Sequence, residues 1–467
     1  MYKTIADIKK ALGSGKTASS ILEEHLHLAK EKSSLNAFVE IFEDTSRQAA
    51  RLIDNKIKQG KAGRLAGVIL GIKDNICYKG HKVSAASKIL NNFESIYTAT
   101  VLQKLIDEDA IVIGRLNCDE FAMGSSNENS FYGNVNNNFN EEYVPGGSSG
   151  GSSVAVSAGL CTVALGSDTG GSVRQPASWT NTFGLKPTYG SLSRYGLIAY
   201  ASSFDQIGVF SNSIEDSQLI FEITRGKDPM DSTSSSRNIE SKSVETEKLR
   251  IGVVKEYMSH EGIDSEIKLK LENLKSSLDS GNIKVVECDF PYLDYLVPTY
   301  YVLSTAEASS NLSRFDGVHY GHRSANASGV DDTYKKSRSE GFGVEVKRRI
   351  MTGTFVLSHG YYDAYYTKAQ KVRRIVKNAT DAFFKDVDVL VFPTTPSTAF
   401  KQGSVNEPIT MYLQDIFTVH ANLTGNPAIS IPFGIHSNGM PFGLQIMSDR
   451  FNEEKLFSYS KILNSYF

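Results

Sequence analysis

The sequence has few cysteines, no long apolar run and no secretory signal pattern. Its 467 residues contain four cysteines, spread far apart with no C-x-x-C pair, namely Cys77, Cys118, Cys161 and Cys288. This spacing argues against both a disulfide framework and a zinc site. No segment approaches the roughly 20 apolar residues that span a bilayer, and the first residues alternate charged with apolar side chains. We therefore expect a soluble, cytoplasmic protein.

The sequence also lacks an excess of positive charge. Lysine and arginine number 50 against 52 aspartates and glutamates, so no overall positive field is available to attract phosphates. We expect any contact with nucleic acid to be local or to belong to a partner. The length and the hydrophobic content of 40% suffice for one large domain or for two to three ordinary ones.

The pattern of apolar residues indicates alternating helices and strands. Residues 1–60 predict amphipathic helices. Apolar runs at 67–73 and 110–114 predict strands, with a helical pattern at 97–108 between them. This alternation predicts an α/β fold whose central sheet is at least partly parallel and covered by helices on both faces. We interpret residues 61–467 as a single compact domain.

A second β–α–β unit is predicted further along the chain. Residues 249–254 and 283–288 have the composition of strands, and residues 265–280 between them have a helical pattern. The polar segment before this unit, at about 226–248, predicts a surface connection.

Glycine-rich, polar segments dominate residues 117–190, where we expect loops interrupted by one helix at 152–160 and one strand at 161–166. Two glycine–serine segments lie there, Pro145–Ser152 and Gly166–Pro176. Glycines allow left-handed turns that bring several N–H groups close to a ligand, as an oxyanion hole requires. Taken alone, such a segment is more often a flexible or anion-binding turn.

A serine nucleophile needs a base that accepts its proton. None of the nine histidines lies in the glycine-rich segments, which weakens a Ser-His-Asp interpretation without excluding it. Lys73 ends an apolar strand, and strand alternation sends Asp74 to the opposite face. A lysine in that setting can lose its proton near neutral pH. The alternative is an ordinary strand-end lysine that reaches solvent.

Two other motif matches are weak. Gly13–Thr17 looks like the end of a phosphate-binding loop, but Lys10 stands where that motif needs glycine, and a helical pattern precedes it. Gly146–Gly150 fits the pattern of an α/β-hydrolase nucleophile elbow, yet residues 136–142 before it do not have the composition of a strand.

Taken together, Lys73, Ser148 and Ser172 resemble the Lys–Ser–Ser triad of the amidase signature family. The spacing is 75 residues from lysine to first serine (148 minus 73) and 24 from first to second (172 minus 148). The resemblance runs from about Gly67 to Asp449 and implies the family's fold, a central mixed sheet between helices. It also implies that Ser172 is the nucleophile, Lys73 the base and Ser148 the bridging serine, which follows a cis peptide bond.

In this interpretation, the oxyanion hole is formed by backbone N–H groups of the second glycine-rich segment, which follows a predicted strand. The predicted donors are those of Thr169, Gly170, Gly171 and Ser172. One departure from the family is visible, because Trp179–Asn181 stands where members usually have an aromatic residue followed by Cys-Gly. This departure affects the expected packing behind the nucleophile and not the triad.

Segments downstream of the triad resemble one group within that family, the A subunits of glutamine-dependent aminoacyl-tRNA amidotransferases. They are residues 185–190, 199–208, 306–317 and 348–351. This resemblance implies that Arg349 pairs with the α-carboxylate of glutamine and Asp415 with its α-ammonium, with Tyr300 nearby. Arg348 is an alternative to Arg349. Without the resemblance, each residue would be interpreted as part of a surface ion pair or helix face.

The same resemblance implies a heterotrimer with B and C subunits. Ammonia released from glutamine would travel to the B subunit, which binds tRNA and uses ATP and magnesium to amidate Glu-tRNA(Gln) or Asp-tRNA(Asn). The smaller C subunit would join the other two. No cofactor or metal is expected in this chain itself. Two alternatives stay open: a stand-alone amidase acting on another small amide, and a nucleotide-binding module built on the glycine-rich loops.

Overall fold

The computed structural model of the chain describes residues 2–237, 249–279, 283–405 and 407–467. The α-helices are α1 Ile5–Gly13, α2 Ala18–Glu31, α3 Glu43–Lys58, α4 Thr100–Asp107, α5 Gly150–Ser157, α6 Arg174–Trp179, α7 Ile214–Thr224, α8 Lys255–Met258, α9 Ser265–Asp279, α10 Leu293–Asn311, α11 Gly329–Gly341, α12 Val344–Val356, α13 Lys368–Asp386, α14 Pro408–Leu413, α15 Val419–Thr424 and α16 Glu453–Asn464. Short 3₁₀ turns and one π-helical turn, at Asp363–Thr367, connect some of them.

The strands form one eleven-stranded sheet. They are β1 Phe38–Ile41, β2 Ile69–Lys73, β3 Ile111–Leu116, β4 Val163–Asp168, β5 Phe183–Lys186, β6 Gln206–Ser211, β7 Arg250–Val254, β8 Lys284–Cys288, β9 Val389–Pro393, β10 Ala428–Ile435 and β11 Pro441–Ser448. Their order across the sheet is β1-β3-β2-β4-β6-β5-β10-β11-β9-β7-β8.

The sheet is mixed, as the resemblance implied. Strand β2 runs parallel to β3 and β4, and β7 runs parallel to β8 and β9. The remaining pairs, including β4 with β6, are antiparallel. Every residue of β2, β3 and β4 is buried, so side chains on both faces of the sheet are covered. The predicted α/β fold class is confirmed.

The apolar core runs through the chain from the first helix to the last. Buried side chains from Ile5 in α1 to Leu463 in α16 belong to one contiguous cluster. A second, small cluster contains Trp179 and Val144. Within the described ranges, none of the helices combines the length and the apolarity that crossing a bilayer requires.

The strongest apolar patterns predicted their elements correctly. The strands predicted at 67–73 and 110–114 are β2 and β3, and the later β–α–β unit is β7, α9 and β8 with its strands parallel. The surface connection predicted at about 226–248 lies outside the described residues from 238 onward.

Two predictions of local structure were wrong. The N-terminal region was predicted to be helical throughout, but β1 lies between α2 and α3. Its four residues are only half buried at the edge of the sheet, so their apolar pattern is weak. The second error is in residues 117–190, which also hold helix α6 and strand β5. Helix α6 lacks the apolar pattern of a buried helix, because its Arg174 and Gln175 are buried with hydrogen bonds in place of apolar contacts.

Candidate active site

Lys73 ends strand β2 and is fully buried. Its Nζ donates to three serine hydroxyls, at 2.7 Å from Ser148 Oγ, 2.9 Å from Ser149 Oγ and 3.0 Å from Ser167 Oγ. Burial lowers the pKa of Lys73 to about 8, and the negative charges of nearby acidic groups offset this effect only in part. About one tenth of the amine is therefore neutral at pH 7 and about one half at pH 8. The alternative of a lysine reaching solvent is excluded.

Ser148 is held in a tightly bonded loop. The Gly147–Ser148 peptide bond is cis, as the resemblance implied. The carbonyl of Ser148 accepts a hydrogen bond from the N–H of Asp119 at 3.1 Å, and the N–H of Gly147 donates to Gln175 Oε1 at 2.9 Å. The amide of Gln175 in turn donates to the carbonyl of Ser125 at 2.6 Å. The Gln175 side chain of α6 thus connects the loop at Gly147 with the loop at Ser125 through hydrogen bonds.

Ser172 lies beside this loop, between the end of β4 and the start of α6. Its carbonyl accepts a hydrogen bond from the N–H of Ser149 at 3.2 Å, and the residue is 8% exposed. Within the described chain, Lys73 is the only hydrogen-bond partner of the Ser148 hydroxyl, and the Ser172 hydroxyl has none. A hydrogen bond therefore connects Lys73 with the Ser148 hydroxyl, whereas none connects the hydroxyls of Ser148 and Ser172.

A buried ion pair anchors the turn that carries Ser172. Arg174 Nη2 lies 2.8 Å from Asp168 Oδ1, and both side chains are fully buried. The Asp168 carboxylate also accepts the N–H groups of Gly171 and Val173, at 2.9 and 3.2 Å. Burial alone would raise the pKa of Asp168, but the charge and hydrogen bonds of Arg174 outweigh it and lower the pKa to about 2. This carboxylate therefore stays ionised and holds the turn.

The predicted oxyanion donors divide into two kinds. The N–H of Gly171 is committed to Asp168. In the described part of the chain, the N–H groups of Thr169, Gly170 and Ser172 donate to no other group. Gly170 is also approached closely by Tyr300, because a Cβ added at Gly170 would lie 2.5 Å from the tyrosine ring. Only glycine fits at that position.

Arg349 lies on α12 and is enclosed by aromatic rings. Its guanidinium lies 5.3 Å from the ring centroid of Tyr301 and 5.7 Å from that of Tyr200, whose hydroxyl accepts a hydrogen bond at 2.8 Å. Its Nε donates to Glu345 Oε1 at 2.8 Å. The side chain of Arg349 is 4% exposed, against 47% for Arg348. Arg349 is thus the buried member of the pair, although both border the same cavity.

Asp415 is buried near this arginine without pairing with it. Its Oδ2 accepts hydrogen bonds from Ser125 Oγ at 2.9 Å and Tyr301 Oη at 3.1 Å. Burial raises the pKa of Asp415 to about 7. Tyr301 contacts both Asp415 and Arg349, whereas Tyr300 packs edge-on against Tyr301 and against Gly170. The two tyrosines therefore connect the predicted substrate residues with the turn before Ser172.

A small cavity borders Arg349, but its lining does not include Asp415 or the three residues of the predicted triad. Its volume is about 230 Å³, and its lining includes Ser125, Glu345 and Arg349. This is below the roughly 300–1,000 Å³ of pockets for drug-sized molecules and suits a ligand the size of an amino acid. Among the residues that the structure describes, no cluster of three or more histidine, cysteine, aspartate or glutamate side chains is arranged to hold a metal ion.

The family model described as Amidase matches residues 20–457. The chain belongs to the amidase family.

Three similar proteins carry the same name. The A subunit of the glutamyl-tRNA(Gln) amidotransferase of Neisseria meningitidis serogroup A is 48% identical over 433 residues, which are 92% of this chain and 90% of the relative. A protein of the same name from Koribacter versatilis is 49% identical over 444 residues, 94% of this chain and 92% of the relative. The crystal structure of the protein of this name from Thermotoga maritima is 39% identical and has a TM-score of 0.77, covering 94% of this chain and 90% of that one.

Several residues that shape the site of this amidase-family chain were not predicted. Ser149 and Ser167 lie in or beside the glycine–serine segments, and composition alone does not distinguish them from Ser148 and Ser172. Tyr301 follows the predicted Tyr300 directly. No sequence signal marks the role of Ser125. The weak match at 13–17 is a connection between α1 and α2, where Thr17 caps α2 and no strand precedes it.

Trp179, at the family departure, is fully buried at the end of α6. Its ring N–H donates to the carbonyl of Ser397 at 2.9 Å. The indole packs with Val144 and Met440 in the small cluster. Although the chain departs from the family pattern here, Trp179 is therefore well packed and hydrogen-bonded at the end of α6.

Proposed function

We propose that the chain is the A subunit of a glutamyl-tRNA(Gln) amidotransferase and that it hydrolyses glutamine to supply ammonia. The observation that carries the chemical part is the buried amine of Lys73, hydrogen-bonded to Ser148 beside Ser172. The names of relatives at 48–49% identity support the choice of subunit. The cavity between Ser125 and Arg349 supports a small amino acid as substrate.

In the proposed mechanism, the Ser172 oxygen attacks the side-chain amide carbon of glutamine. The proton of Ser172 passes to Ser148 while the proton of Ser148 passes to neutral Lys73. The same relay then runs in reverse and protonates the departing nitrogen, so that ammonia leaves and a γ-glutamyl ester remains on Ser172. Water, activated by the relay, attacks this ester and releases glutamate. In this proposal, a hydrogen bond between the hydroxyls of Ser148 and Ser172 forms when substrate binds, since catalytic hydrogen bonds often tighten only in the complex.

The oxyanion that forms at the amide oxygen needs donors that are not used elsewhere. The N–H groups of Thr169, Gly170 and Ser172 meet this condition, and each such donor typically contributes about 2.7–4 kcal/mol to the transition state. Gly171 has a different part in this proposal. Its N–H binds Asp168 and keeps the turn in shape.

Glutamine recognition in this proposal uses one fixed charge of each sign. Arg349 pairs with the α-carboxylate and Asp415 with the α-ammonium. Burial raises the pKa of Asp415 to about 7, and a bound ammonium group would favour its ionised form. Arg348 is too exposed to serve as the main partner and contributes at the rim of the cavity.

The proposal includes a cytoplasmic heterotrimer with B and C subunits. The B subunit would bind tRNA and use ATP and magnesium, and the C subunit would join the other two. The near-neutral balance of 50 basic and 52 acidic residues fits a chain that leaves tRNA binding to its partner. The choice between Glu-tRNA(Gln) and Asp-tRNA(Asn) would belong largely to the B subunit.

Co-expression with the candidate partners, purification through a tag on this chain and a glutaminase assay test the proposal. We expect two further subunits to co-purify and glutamate release to be lost in Ser172→Ala. The matched control is Ser339→Ala, which changes an exposed helical serine and leaves activity unchanged. Brisk hydrolysis of apolar amides by the chain alone, without action on glutamine, would support a stand-alone amidase instead. Tight ATP binding that survives Ser172→Ala would support the nucleotide-binding alternative.

A further inference from the structure

A second cavity, of about 550 Å³, is lined by four basic side chains and no carboxylate. We call it the basic cavity. Arg373, Arg374 and Lys377 reach it from α13, and Arg450 reaches it from the segment after β11. It shares no lining residue with the cavity beside Arg349. The proposed glutamine chemistry therefore does not account for it.

The basic side chains are only partly neutralised. Lys377 and Arg450 share a single carboxylate, Asp381, at 2.6 and 3.1 Å. Arg373 donates to neutral acceptors, the carbonyl of Leu423 at 2.9 Å and the carbonyl and hydroxyl of Ser203. Within the described chain, Arg374 makes no ion pair.

Glu307 accepts hydrogen bonds from the N–H and the hydroxyl of Ser203, and that hydroxyl accepts one from Arg373. Asp449 accepts the backbone N–H of Arg450 at 2.7 Å, so three carboxylates, those of Asp381, Glu307 and Asp449, lie near the lining. The four basic side chains of the lining outnumber these three carboxylates, so the basic cavity keeps a net positive charge.

The sequence of α13 concentrates this charge on one face. Lys377 follows Arg374 by three positions and Arg373 by four, a spacing that places side chains next to one another on a helix. Like charges at this spacing destabilise a helix unless a counter-ion offsets them. Arginine forks and a lysine that converge on one concavity are the groups that proteins use for phosphate.

We infer that the basic cavity binds a phosphate-bearing ligand. A phosphate group carries about −1.5 to −2 charges at neutral pH and three strong acceptor oxygens, so it can bind several of these side chains at once. The volume exceeds that of one phosphate group, so the remainder of the ligand has room beside it. The phosphate comes from a small soluble compound or from a polynucleotide backbone, and the chemistry of recognition is the same.

Calorimetric titration of the intact chain with inorganic pyrophosphate tests this inference. We expect binding that weakens with added salt and that loses at least tenfold in affinity in Arg374→Glu. Lys377→Gln should cause a smaller loss. The matched control is Lys385→Glu, which makes the same kind of charge reversal on an exposed residue of α13, about 16 Å further along the helix axis.

A short single-stranded RNA oligonucleotide forms the second arm. RNA binding that pyrophosphate displaces and Arg374→Glu weakens would identify the polynucleotide as source, and pyrophosphate binding alone would identify a small compound. Absence of binding by both probes at millimolar concentration overturns the inference, as does equal affinity in the wild type and in Arg374→Glu. Arg374 is exposed, so its variants are expected to fold, which circular dichroism checks. None of these outcomes depends on glutamine hydrolysis.

Discussion

Replacing Lys73 with arginine tests the proposed base most directly. Arginine keeps a positive charge and hydrogen-bond donors in a similar place, but it does not give up its proton in proteins. The wild-type amine lies 2.7–3.0 Å from three serine hydroxyls, and burial lowers its pKa to about 8. If the neutral amine accepts the proton that Ser148 relays, Lys73→Arg removes the base without removing the charge.

The size of the effect follows from this pKa. The neutral fraction of Lys73 is about one tenth at pH 7, about one half at pH 8 and about nine tenths at pH 9. Because only the neutral amine accepts a proton, kcat should rise about tenfold from pH 7 to pH 9 and then level off. General base catalysis typically contributes about 10²–10⁴-fold. Lys73→Arg should therefore lower kcat by at least about 100-fold, or ~2.7 kcal/mol.

The assay is the initial rate of glutamate release at saturating glutamine between pH 6.5 and pH 9.5. Saturation matters because Asp415 then has its substrate bound, so its own titration does not contribute to kcat. Lys73→Ala should abolish turnover as well, and Lys385→Arg serves as the control for an exposed lysine. Retention of more than a tenth of wild-type kcat by Lys73→Arg, with the same rise between pH 7 and pH 9, would refute the role of this amine as base.

Three further predictions concern the substrate residues and the turn. Arg349→Ala should raise KM for glutamine at least tenfold, or ~1.4 kcal/mol, and Arg348→Ala less than threefold, because Arg349 is buried and Arg348 is not; the reverse order in steady-state kinetics would exchange their roles. KM should fall as pH rises from 6 to 8, since only the ionised Asp415 attracts an ammonium group, and Asp415→Asn should remove this dependence; its persistence in the variant would point to another group. Asp168→Asn leaves Arg174 buried and unpaired, so the free energy of unfolding in urea should fall by about 3–5 kcal/mol, whereas a loss below ~1 kcal/mol would contradict the importance of the pair.

Sequence reasoning predicted those parts of the fold that rest on local patterns. The apolar run before Lys73 gave a correct strand because every residue of β2 is buried, which leaves an uninterrupted apolar signal. Strand β1 lacked that signal, since all four of its residues are only partly buried at the sheet edge. Helix α6 was missed for the opposite reason. It is buried, but hydrogen bonds of Arg174 and Gln175 replace the apolar contacts on which such patterns depend.

The site itself depends on contacts between distant segments. Ser125 and Asp415 are 290 positions apart in sequence, and their hydrogen bond leaves no periodic trace in either segment. The direction of a backbone N–H is equally invisible in a sequence. Gly171 was predicted as one of four equivalent donors, whereas the bond from its N–H to Asp168 makes it different from its neighbours.

The predicted triad and the aromatic cage of Arg349 come largely from different parts of the polypeptide. Lys73, Ser148 and Ser172 lie between β2 and α6, whereas Tyr301 and Arg349 lie on α10 and α12. Mutations on these two helices can thus alter which molecule fits without disturbing the amine and the hydroxyls. We expect substrate preference to evolve faster than reaction chemistry in such an architecture, and engineered changes of substrate should begin on the helices and leave the sheet intact.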